Sequence, residues 1–132
     1  MANEESFITH LAAYLQAHVR DAQVDVDDRD AERLEGFSPD LVVRQADTIW
    51  IVELKVGEGP LDTTDLAQLR GYQASRERHS VKVMLATTRK VSERLRSKAR
   101  DWNVTLVTGG GLANLESAVA RTIVGQGQAT SQ

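Results

Sequence analysis

Two β-rich runs lie almost end to end in the middle of this chain, Asp40–Gln45 and Thr48–Val56, with only Ala46 and Asp47 between them. Val42 and Val43 in the first run, and Thr48, Ile49, Trp50, Ile51 and Val52 in the second, fit a pleated, half-buried surface. Two such runs joined so closely read as an antiparallel hairpin. With a two-residue turn at Ala46-Asp47, Gln45 pairs with Thr48, and each step outward follows until Asp40 meets Glu53. A three-residue loop, Ala46-Asp47-Thr48, shifts that register instead.

The hairpin carries charges that a buried pair of strands has no need of. Residues two apart in a strand share a face, so Glu53 and Lys55 are neighbours, while Trp50, Val52 and Leu54 point the other way. In the two-residue register Asp40 and Glu53 have Cβ atoms about 5 Å apart. Two carboxylates so placed repel. A divalent cation offsets that repulsion, and Mg²⁺ takes hard oxygen ligands from one or two carboxylates. A metal there polarises a phosphate oxygen and acidifies water. An adjacent ammonium positions the water or stabilises charge on the phosphate. No nucleophilic side chain is needed.

The rest of the chain supplies an alternating framework. Phe7, Ile8, Leu11 and Leu15 mark a helix over residues 4–18. "QVDVDDRD" alternates briefly as an edge strand, with acids that discourage pairing to another sheet. After the hairpin, "GEGP" breaks the pattern and "DTTDLAQLRGYQASRER" reads as a helix with Leu66, Leu69 and Tyr72 on its apolar side. "VKVMLATT" is a strand, 91–102 a helix with Val91, Leu95, Ala99 and Trp102 inward, "VTLVT" a strand, "GGG" a turn and "LANLESAVARTIV" a closing helix. Strand–helix–strand units of this length imply parallel pairing. The expected fold is α/β, with a mixed central sheet between helices. Residues 1–124 are expected to form one domain, and 125–132 a disordered polar tail.

With those elements placed, Pro39-Asp40 … Glu53-Leu54-Lys55 resembles the signature of the PD-(D/E)XK phosphodiesterase superfamily. The α-β-β-β-α-β order over about residues 4 to 108 is similar to that superfamily's restriction endonuclease-like core. The segment "VMLATTRKVSERLRSKARDWNVTLVTGGGLANL" looks like the end of Mrr-type restriction endonuclease domains and of NucS-type mismatch endonucleases. Small Holliday junction resolvases share the size. The resemblance implies Asp40 and Glu53 as metal ligands, Lys55 as the catalytic lysine, and Mg²⁺ or Mn²⁺ as cofactor. It implies a glutamate of the first helix as a further ligand, matched best by Glu4, with Glu5 as the alternative. It also implies Gln68 as an assisting residue and Tyr72 beside it on one helix face. Arg70 and Tyr72, with Arg89 and Lys90, are the candidate nucleic-acid contacts.

Charge and composition limit the other classes. The net charge is −3, with residues 1–39 at −6 and residues 40–132 at +3. Six bases and one acid fall in "RKVSERLRSKAR", which neutralises phosphates if it faces a groove and is a solvated helix face if it does not. With no cysteine, disulfides and thiolate zinc sites are excluded. His10, His18 and His79 do not have the spacing of a ligand set, and "TGGGL" lacks the spacing of a dinucleotide-binding loop. "MANEESFITHLAAYLQ" lacks the layout of a signal peptide and no run is long enough to span a membrane, so a cytoplasmic setting is expected.

The expected function is a metal-dependent endodeoxyribonuclease, acting on DNA as a homodimer. Two alternatives stay open. The three charges form a plain ion-pair cluster in a silent module that binds a protein partner or structured nucleic acid, as the acidic N-terminal part favours. Or the chain is an accessory subunit completed by another protein.

Overall fold

The computed structural model describes residues 4–26, 40–46, 48–57, 59, 61, 63, 66, 67, 69 and 80–128, the side chains of 4, 5, 80 and 126–128 excepted. Helix α1 spans Glu4–His18, followed by strands β1 (Ala22–Val26), β2 (Leu41–Gln45), β3 (Thr48–Lys55) and β4 (Ser80–Thr87). Helix α2 (Glu93–Asp101), strand β5 (Val104–Thr108) and helix α3 (Leu112–Gln128) complete the order. Thr63, Leu66, Ala67 and Leu69, between β3 and β4, are also helical. The fold is α/β, with the α-β-β-β-α-β order of a restriction endonuclease-like core.

The five strands lie in sequence order, with β1 and β5 at the edges. The β1–β2 and β2–β3 pairs are antiparallel, and the β3–β4 and β4–β5 pairs are parallel. The hairpin has the two-residue register: Gln45 pairs with Thr48 and Leu41 with Val52. Ala46 in the turn has φ 53°, a left-handed conformation that the tight connection requires.

Alternation along β3 divides the core in two. Trp50, Val52 and Leu54 pack with Leu41, Val43, Met84 and Ala86 beneath Phe7, Leu11 and Leu15 of α1 and Leu115, Val119 and Ile123 of α3. Ile51, Val83 and Leu85 face the other way, beneath Leu61, Leu66, Leu69 and the Leu95 and Ala99 of α2. At about 25 cal/mol per Å² of apolar surface, these two layers are the main source of stability.

Helix ends differ modestly from the sequence reading. Helix α2 begins at Glu93 because Ser92 is extended and its hydroxyl accepts the Leu95 N–H at 3.1 Å. It ends before Asn103, whose φ of 57° is left-handed. Helix α3 runs past Val124 to Gln128, so 125–128 are helical rather than part of a disordered tail. No proline in that polar stretch stops the helix. Among the described residues no helix is long and apolar enough to cross a membrane.

Candidate active site

The β2 ladder stops at Leu41, and one step earlier the chain bends at Asp40. There the side chain takes over from the backbone. Asp40 Oδ2 accepts a hydrogen bond from the Leu54 N–H at 2.8 Å. This ties the Asp40 carboxylate to β3 at the residue between Glu53 and Lys55. The register carried one position beyond the ladder sets Asp40 opposite Glu53, as the hairpin pattern predicts.

Glu53 and Lys55 project from β3 to the face of Ile51, Val83 and Leu85. Glu53 is 8% exposed, a rare burial for a carboxylate. Its Oε1 is enclosed without a hydrogen bond, while the residue keeps other interactions. Lys55 is half-buried. On the other side of β3, Glu53 pairs with Leu85 and Lys55 with Thr87, so the site sits where antiparallel and parallel halves of the sheet meet.

Residues at the end of β4 and just after it hold the main chain of Lys55 and Val56. Thr87 is fully buried, and its hydroxyl donates to the Lys55 carbonyl at 2.7 Å while accepting the Arg89 N–H at 2.9 Å. The Arg89 guanidinium donates from Nε and Nη2 to the Val56 carbonyl at 3.1 and 3.0 Å. Gly57 follows with φ 103°, a conformation strained for any residue with a side chain, and turns the chain away. Thr87 was not singled out from sequence. Its only signal was a polar residue closing the apolar run "VKVMLA".

The expected site residues thus fall into three groups. Asp40, Glu53 and Lys55 come together at the end of β3. Arg89 is half-buried and clasps the end of the same strand, whereas Lys90 is exposed beside it. Glu4 opens α1, which packs on the opposite face of the sheet; its side chain, like that of Glu5, lies outside the described residues. Gln68, Arg70 and Tyr72 lie outside them too, although the flanking Leu66 and Leu69 are buried on the Glu53 face.

Two oxygen-donor carboxylates at one strand end fit Mg²⁺ or Mn²⁺, which complete their shells with water and substrate. Among the described residues no group of three or more His, Cys, Asp or Glu side chains converges. His10 hydrogen bonds through Nδ1 with Glu116 Oε2 of α3.

No family model and no curated protein matches this sequence. Among solved structures, protein VC1899 from Vibrio cholerae is similar in fold, with a TM-score of 0.70 at 16% sequence identity. The match covers 91% of this chain and 34% of that one, so this chain spans about a third of its length. At this identity the likeness concerns the fold alone.

Proposed function

We propose that the protein is a metal-dependent endodeoxyribonuclease of the PD-(D/E)XK kind. The observation that supports this best is the β2–β3 register, which sets Asp40 beside Glu53 with Lys55 next on the same face. Such crowding of acids costs stability unless a cation offsets it. Mg²⁺ or Mn²⁺, when bound, supplies Lewis-acid polarisation of the phosphate and a more acidic water. Asp40 and Glu53 hold the ion. Lys55 orients the attacking water and faces the negative charge that grows on the phosphate oxygens. Its carbonyl accepts the Thr87 hydroxyl, which anchors the strand end from which the ammonium extends. Gln68 and Glu4 are assisting groups in this proposal. A domain this small covers a short length of duplex, and a homodimer with two sites cuts both strands.

One observation favours a second reading. The Asp40 hydrogen bond to Leu54 N–H gives that acid a structural task as a strand-end cap. A nuclease-like module that binds without cutting would keep Asp40 for that reason alone. The test is cleavage of labelled linear duplex, single strand, flap and four-way junction with Mg²⁺ and with Mn²⁺. Wild-type cutting that both Glu53→Ala and Lys55→Ala lose supports the nuclease. Wild-type protein that binds metal and DNA yet leaves every substrate intact supports the module.

A further inference from the structure

Helix α2 carries four bases on two separate flanks. Leu95 and Ala99 point into the core, which places Arg94 and Lys98 on one side of the buried stripe and Arg96 and Arg100 on the other. Two surface cavities fix where each flank looks. Arg94 lines a cavity of about 230 Å³ with Leu61, Thr63, Ser92 and Leu95. That flank faces the segment leaving β3, the strand that carries Glu53 and Lys55. Arg96 and Arg100 line a second cavity of about 210 Å³ with Ala99, Val104 and Leu106. That flank faces β5, the edge strand on the far side of β4 from β3.

From this placement, and resting on the nuclease reading above, we infer that the Arg94–Lys98 flank receives the DNA backbone beyond the scissile phosphate. The two residues are one helical turn apart, about 6 Å along the axis, and form a line of bases with exposed Lys90 ahead of them in the segment that joins β4 to α2. Arg94 is exposed. Lys98 is half-buried, with its ammonium over the Trp102 ring at 5.7 Å from the centroid. This steadies the charge without neutralising it. The line starts at the same sheet end as Lys55, because β4 ends beside Lys55 and leads directly into α2. Duplex DNA offers a continuous row of negative charge, and two bases one turn apart on a helix that follows the same sheet end match it. Arg89 does not belong to the line, since its guanidinium is turned onto the Val56 carbonyl.

The two flanks allow a charge-matched test. Binding of a short fluorescein-labelled duplex is measured by anisotropy in EDTA, over about 50 to 200 mM salt. Wild type is compared with Arg94→Gln/Lys98→Gln and with Arg96→Gln/Arg100→Gln, each double losing two positive charges. The first double is expected to flatten the log–log salt dependence by about 1.8, at roughly 0.9 per phosphate contact. The second is expected to leave the slope unchanged. Arg94→Gln alone, which spares the Trp102 contact, is expected to lower it by about 0.9. Equal slopes for the two doubles, a larger change in the second, or no binding by wild type overturns the assignment. Cleavage with Mg²⁺ is read in parallel. A lost slope without cutting sinks the nuclease reading and leaves the surface. Cutting abolished by Glu53→Gln, with equal slopes for the two doubles, does the reverse.

Discussion

Two buried glutamates sit on opposite faces of the sheet, and they meet different groups: a histidine at one, a second acid and a lysine at the other. Glu116 of α3 is 5% exposed, and its Oε2 meets Nδ1 of His10, which projects from α1 and is largely open to solvent. The pair ties together two helices distant in sequence, so this acid has a structural explanation. Glu53 of β3 is 8% exposed, almost the same, but the register sets a second acid, Asp40, across from it. Burial of a carboxylate costs several kcal/mol unless something compensates. A histidine beside the acid serves that end, and a second acid works against it. The extent of burial therefore does not separate the clamp from the candidate site. The second acid set across from Glu53 does.

Substitutions sharpen that contrast. The largest effect is expected at the clamp: Glu116→Ala should lower unfolding free energy by about 1–3 kcal/mol, measured by urea denaturation, with DNA cleavage unchanged. If cleavage falls while the fold holds, Glu116 is more than a clamp. At Asp40 the hydrogen bond can be separated from the charge. Asparagine keeps an acceptor for the Leu54 N–H and alanine does not, so Asp40→Asn should be more stable than Asp40→Ala by about 1 kcal/mol. Equal stability of the two would remove the capping role. The smallest shift, and opposite in sign to the first, is expected for Glu53→Gln. Without metal it should gain about 0.2–1 kcal/mol through relief of the like-charge pair. A loss in metal-free urea unfolding would break the comparison, because Glu53 would then be stabilising like Glu116.

The hairpin was the most legible part of the molecule. Period-two alternation specifies the faces, and the two-residue turn, one of two loop lengths open to the sequence, is the one whose register brings Asp40 across from Glu53. Helix α1 was legible from the 3.6-residue spacing of Phe7, Leu11 and Leu15. What pattern could not supply was pairing between distant residues. Nothing local marks His10 as the partner of Glu116, or Thr87 as the support of the Lys55 carbonyl. Arg89 shows the same limit from the other side. In a basic run it reads as a phosphate contact, yet its guanidinium satisfies the carbonyl of Val56 at the end of β3. The two flanks of α2 could be drawn on a helical wheel, but only the neighbours Leu61 and Thr63 on one side, and Val104 and Leu106 on the other, show where each one faces.

The claim that most needs testing is that Asp40 and Glu53 hold a divalent cation. Thermal unfolding of wild type, Glu53→Gln and Glu116→Gln with and without Mn²⁺ addresses it directly, since a ligand bound only by the folded state raises the melting temperature. Mn²⁺ is expected to raise the melting temperature of wild type and of Glu116→Gln, and to leave that of Glu53→Gln where it was. An equal rise in all three proteins, or no rise in wild type, would contradict a metal site at the end of β3.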